Sequence, residues 1–157
     1  MRTYEQGVTL IEVLIGISIL AVTLIAIGFS VTSYVTARKE LVSETKATYL
    51  TEEGYEILRA VRDTDWNTLE ALTPNGTYYL AVSTTTLAVG NTPEIIDSSY
   101  RRSFVVKSVY RNATSDIVAS GAPGATLDDG SRQFDISVAG PTGTTTFSAI
   151  LTNVHAI

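Results

Sequence analysis

Between Glu12 and Arg38 the chain carries no charged residue. The intervening stretch, residues 13–37, reads VLIGISILAVTLIAIGFSVTSYVTA and is apolar or small and polar throughout. About 20 apolar residues in helical form cross the hydrocarbon of a bilayer. A segment apolar on every side does not suit the surface of a globular domain; it belongs in lipid or inside a bundle. Glu12 stands at its head. A lone carboxylate there is costly unless something pairs with it, so it is normally kept for a reason. What pairs with Glu12 is the first functional question the chain poses.

The remainder is short. A chain of 157 residues holds one membrane segment and one small domain. The roughly 120 residues beyond position 37 can bury a modest core. The net charge of −5 argues against a nucleic-acid partner bound through bulk charge. There is no cysteine, hence no disulfide framework, thiolate metal site or cysteine nucleophile. An extracytoplasmic address stays open without disulfides.

The N-terminus differs from an ordinary secretory signal. Such a signal has a basic leader, a short apolar core and a small-residue cleavage site after the core. Here Gly7 precedes the apolar run, and the run is too long for a signal core. Arg2 faces Glu5 on one flank, with Arg38 and Lys39 on the other, so charge bias sets no orientation.

The run Gly7-Val8-Thr9-Leu10-Ile11-Glu12, followed by Val13-Leu14-Ile15, resembles the N-terminal motif of the type IV pilin and pseudopilin superfamily. The resemblance implies that Gly7 precedes the cut made by a separate prepilin peptidase. It implies that Val8 becomes the new N-terminus and is N-methylated, and that Glu12 is the fifth residue of the mature chain. Two departures are visible: the family usually has Phe at the Val8 position and more basic residues in the leader than Arg2 alone. The partners implied are other pilin or pseudopilin subunits, the peptidase and the membrane. The location implied is the bacterial cytoplasmic membrane before assembly, then an extracytoplasmic filament.

This resemblance gives Glu12 a partner. A free amine at Val8 and a carboxylate at Glu12, each unpaired in an apolar bundle, would both be penalised; paired between neighbouring subunits, each removes the other's penalty. Glu12 is therefore expected to set subunit register. The competing reading is a glutamate that snorkels to the interface with no partner. Ala26, Ser30, Ser33 and Ala37 recur at spacings of four, three and four, which puts small residues on one helix face where another backbone can approach closely. Gly16 and Gly28 lower local helicity and allow bending.

Beyond the apolar run, Ala47, Leu50, Gly54, Ile57, Leu58 and Val61 keep helical spacing with charges between them. One helix is predicted from Val8 to about Trp66, with ion pairs Glu56–Arg59, Arg59–Asp63 and Arg62–Asp65 on its solvated face. Gly54 either permits close sheet packing or marks a break capped by Thr51.

The rest reads as strands. Thr73-Pro74-Asn75-Gly76 is a turn, and residues 77–83, 84–89 and 102–110 are strands. Residues 113–131 read as loop around a short Ile117-Val118 piece. Residues 133–139 and 144–154 read as a hairpin about Gly140-Pro141-Thr142-Gly143, with Phe134, Ile136 and Val138, then Phe147, Ala149 and Leu151, on the buried face. The fold class expected is α+β, a long N-terminal helix packed on a C-terminal antiparallel β-sheet, pilin-like. The divisions expected are a leader at 1–7, an apolar helix at 8–37, its amphipathic continuation at 38–66 and a sheet region at 67–157.

Reactive chemistry is thin. The single histidine, His155, lies where chain ends fray. No His and Cys cluster exists for a metal, and no phosphate loop occurs. Asp116, Asp128 and Asp129 offer oxygen ligands for Ca²⁺, but their spacing departs from the twelve-residue loop pattern and favours a solvated acidic turn. Asn75-Gly76-Thr77 and Asn112-Ala113-Thr114 match the glycosylation tripeptide, a frequent chance pattern. Tyr78, Tyr79, Tyr100 and Tyr110 suit a binding patch or strand packing. No cofactor and no enzymatic activity are expected. Two readings remain: a minor pilin or pseudopilin of a type IV pilus or type II secretion-like filament, and a single-pass tethered binding domain that never polymerises.

Overall fold

The computed structural model describes residues 9–82 and 87–154. Gly7, Val8 and His155 lie outside the described residues, as do residue 83 of the strand expected at 77–83 and residues 84–86 of the strand expected at 84–89. The chain divides into two compact units, Met1–Leu41 and Val42–Ile157. Helix α1, Leu10–Thr64, contributes to both.

In the first unit α1 starts after Thr9, whose carbonyl accepts the backbone N–H of Glu12 at 3.0 Å and of Val13 at 3.3 Å. The helix is long and apolar enough to cross a membrane, and its apolar window is unburied within the chain. It passes through Gly16 and Gly28 as regular α-helix. Four hydroxyls of this stretch bond back to the helix itself. Ser18 donates to the Leu14 carbonyl, Thr23 to Ile19, Ser30 to Ala26 and Thr32 to Gly28. A hydroxyl bonded back to its own helix imposes little penalty in lipid.

In the second unit the buried positions of α1 are Ser43, Ala47, Thr51, Gly54, Ile57, Leu58 and Val61. They fall three or four apart, so they form one stripe, and that stripe packs on the sheet. The helix is unbroken at Gly54. Thr51 donates its hydroxyl to the Ala47 carbonyl within the helix. A Cβ at Gly54 would stand 3.0 Å from Cδ of Arg102 and 3.2 Å from Cγ2 of Ile136, so this glycine permits a close approach of helix and sheet.

The helix ends at Thr64, short of the expected Trp66. Asp65 turns extended (φ −157°, ψ 101°) and caps a second helix, α2, Trp66–Glu70. Its carboxylate accepts from the Asn67 backbone at 3.1 Å and the Thr68 hydroxyl at 2.9 Å. Asp65 is thus engaged as a cap, and the expected Arg62–Asp65 pair is replaced by Arg62–Asp63. Glu56–Arg59 forms as expected.

The sheet is antiparallel, in the order β2-β1-β4-β6-β7, with β3 and β5 also pairing on β4. Its strands are β1 Thr77–Val82, β2 Leu87–Gly90, β3 Glu94–Ile96, β4 Tyr100–Arg111, β5 Ile117–Val118, β6 Thr126–Gly140 and β7 Gly143–Thr152. The core joins Ile57, Leu58 and Val61 of α1 and Trp66 and Leu69 of α2 to Leu80, Phe104, Val106, Phe134 and Ile136 of the sheet. The fold is α+β and pilin-like.

Three expectations need correction. Residues 126–131 are strand instead of loop, because β6 keeps pairing with β4 past a register shift at Ser108/Val109. Ser108 faces Arg132 whereas Val109 faces Asp128, and the shift lets buried positions pass from Val106 to Val109 with two residues between. β3 was not foreseen: it is three residues long and too short for periodicity to show. On β7 only Leu151 is buried. Phe147 is 43% exposed because β7 ends the sheet, although its ring meets Tyr55 edge-on at 5.5 Å.

Candidate functional site

Glu12 lies in the first turn of α1, where a negative charge suits the positive end of the helix dipole. Its surroundings on α1 are exposed apolar side chains, Leu10, Ile11, Val13 and Leu14 among them. Within the described chain the carboxylate therefore stands on a surface that only lipid or another protein can cover. Thr9 and Glu12 have the Thr-x-x-Glu spacing of a capping box, and the helix does begin between them. That local signal was readable in the sequence and supplies a second reason for glutamate at this position. Ala26, Ser30, Ser33 and Ala37 all lie on α1 and are exposed; their spacing sets them on one face.

The second unit holds a polar cluster that sequence reasoning missed. Arg102 of β4 is only 2% exposed. Its Nε and Nη2 donate to the two carboxylate oxygens of Glu94, both at 2.8 Å. Its Nη1 donates to the Leu50 carbonyl and to Glu53, both at 2.9 Å. Burial alone would lower the guanidinium pKa. The hydrogen bonds and charges of Glu94 and Glu53 outweigh that and hold it above the ordinary value. One side chain thus ties α1, β3 and β4 together. Four of its five N–H groups are bonded to protein acceptors, so the cluster is architecture. The clue available beforehand was Arg102 sitting in phase with Phe104 and Val106 on the buried side of a strand.

The calcium candidates are dispersed. Asp128 accepts from Nε of Arg111 at 2.6 Å and from the Gly130 backbone at 3.1 Å. Asp116 accepts from the Thr114 hydroxyl at 2.6 Å within a turn also closed by Asn112. Both carboxyls are held below their ordinary pKa by these bonds. Asp129 is exposed. Among the described residues no group of three or more His, Cys, Asp or Glu is placed to hold a metal. Of the tyrosines, Tyr78 and Tyr100 serve packing. The Tyr78 ring lies 5.9 Å from Phe104, and buried Tyr100 donates to Ser43 at 3.1 Å.

The first helix therefore carries what is unusual about this chain. Residues 2–28 match the prokaryotic N-terminal methylation motif. This is the prepilin-type motif of type IV pilins and pseudopilins. The methylation motif takes in Gly7, Val8, Glu12 and Ala26, and the apolar helix that begins within it at Leu10 fits membrane anchoring. No curated protein and no solved structure gives a significant match.

Proposed function

We propose that this chain is a structural subunit, a minor pilin or pseudopilin, of a type IV pilus or type II secretion-like filament. The observation that carries the reading is the exposed apolar helix of the methylation motif, with one carboxylate in its first turn. In this reading residues 1–7 are a leader, removed between Gly7 and Val8 by a separate prepilin peptidase, and Val8 is then N-methylated. The helix holds the subunit in the cytoplasmic membrane until assembly. There the new amine of Val8 pairs with Glu12 of a neighbour, and the face of Ala26, Ser30, Ser33 and Ala37 lets helices pack closely. Register follows from charge, because a slip by one turn leaves both charges unpaired in an apolar bundle. The subunit is a substrate of processing and a part of a fibre, with no catalytic role.

The test is Glu12→Leu in the native host. Loss of sedimentable filaments containing the subunit, with membrane insertion and processing unchanged, is the expected result. Filaments of normal yield and helical repeat would overturn the pairing. Glu12→Gln separates charge from shape: it is expected to assemble as poorly as Glu12→Leu.

A further inference from the structure

An edge strand presents unpaired backbone N–H and C=O groups, and natural sheets usually guard such edges with short strands, charge, proline or bulges. This sheet keeps β2 short, at four residues, but not ten-residue β7, and it distributes charge the other way round. Its interior strands β4 and β6 hold four charged residues each. Its two ends hold none. β7 reads GTTTFSAILT and β2 reads LAVG, with no charge and no proline in either. Among the described residues β7 pairs with β6 alone, and β2 with β1 alone.

The core is unfinished at the same edge. Phe147 pairs across from buried Ile136, so it lies on the core face, yet it stays 43% exposed. A further strand beyond β7 would cover it. At the other end of the sheet Val89 of β2 lies on that same face, packed against the core. Strand direction settles how the ends can meet. Every step along β2-β1-β4-β6-β7 is antiparallel, so β2 and β7 run the same way. Copies held in one orientation bring β7 of one beside β2 of the next in parallel, with their core faces on the same side.

We propose that a second copy of this chain lays its β2 edge along β7, so that the sheet continues from copy to copy. The contact uses different edges on the two partners and leaves one of each free, so it propagates instead of closing. It covers Phe147 with the apolar core face of β2. The proposal rests on the filament reading for the shared orientation of the copies; the uncharged edges are a property of the sheet itself.

The chain has no cysteine, so introduced thiols report one contact each. Ala88→Cys, on the outer face of β2, is combined in turn with Thr144→Cys, Thr146→Cys, Ser148→Cys and Ile150→Cys on the outer face of β7. The full-length variants are oxidised in native membranes. A disulfide needs Cα atoms within about 7 Å, so the four pairs scan the register. The expected result is a ladder of dimers, trimers and larger species from at least one pair and none from its single-cysteine parents. Ile150→Lys (Thr144→Lys where residue 150 carries the cysteine) adds an edge charge and is expected to abolish that ladder with thermal unfolding unchanged. The proposal is overturned if no pair gives a ladder, if the ladder survives the added lysine, or if a single β7 cysteine yields dimers, which would place two β7 strands about a two-fold axis. Absence of the ladder alongside intact Glu12-dependent assembly defeats this contact alone. Absence of both defeats the filament reading with it.

Discussion

At the scale of single residues, two arginine–carboxylate arrangements with different burial make different demands. Arg102 is buried and holds Glu94, whose side chain is 15% exposed, and Glu53, whose side chain is 56% exposed. Breaking a buried pair leaves an uncompensated charge and costs about 3–5 kcal/mol, whereas an exposed partner contributes at most about 1 kcal/mol. Urea unfolding is therefore expected to show a large loss for Glu94→Leu, at the scale of a buried break, and a loss near or below 1 kcal/mol for Glu53→Gln. Equal losses would contradict this account of the cluster. Asp135 supplies a pH signature. Burial acts to raise its pKa, but hydrogen bonds from Lys107, Gln133 and Ser148 outweigh burial and leave it lowered. A lowered folded pKa gives stability that is present above the unfolded value near 4 and is lost as pH falls through the folded value. The unfolding midpoint should drop as pH falls from about 5, just above the reference value near 4, through the lowered folded values of these carboxyls, and drop less in Asp135→Asn.

At the scale of elements, glycine and capping positions decide where pieces meet. Gly140 allows the ring of Tyr100 within 2.7 Å of where a Cβ would stand, and Gly54 admits Arg102 and Ile136. Gly54→Val should crowd two anchored neighbours and cost about 1–3 kcal/mol in denaturant unfolding; unchanged stability would mean that α1 shifts freely on the sheet. Asp65→Ala should cost about 1 kcal/mol through loss of the α2 cap. Much of this level was legible beforehand. The helix stripe showed because its period is 3.6, and β6 showed because Phe134, Ile136 and Val138 alternate cleanly. The end of α1 was misplaced because Asp65 reads equally as an ion-pair partner and as a cap. The start of β6 was hidden by Asp128-Asp129-Gly130, which has the composition of a turn but continues a strand through a register shift. Arg102 was missed because a charge on the buried face becomes plausible only once its carboxylates are known to converge from α1 and β3. Phe147 was placed inside because alternation reports a face and says nothing about which strand is an edge.

At the scale of the whole molecule, an apolar helix bare to its surroundings has to be covered. In the proposed reading that surface meets membrane before assembly and fibre afterwards. Glu12 is singled out in the sequence by cost alone, because a carboxylate at the head of a charge-free run demands a partner; its role in setting register is a proposal. The proposed partner of Glu12, Val8 of a neighbouring copy, lies outside the described residues. The proposed function depends on processing at Gly7–Val8, because that cut would create the amine. The most direct measurement is mass spectrometry of the N-terminal peptide of the protein recovered from its native membranes and fibres. The expected species begins at N-methyl-Val8. A chain that retains Met1, or one cut beyond residue 37, would contradict the account.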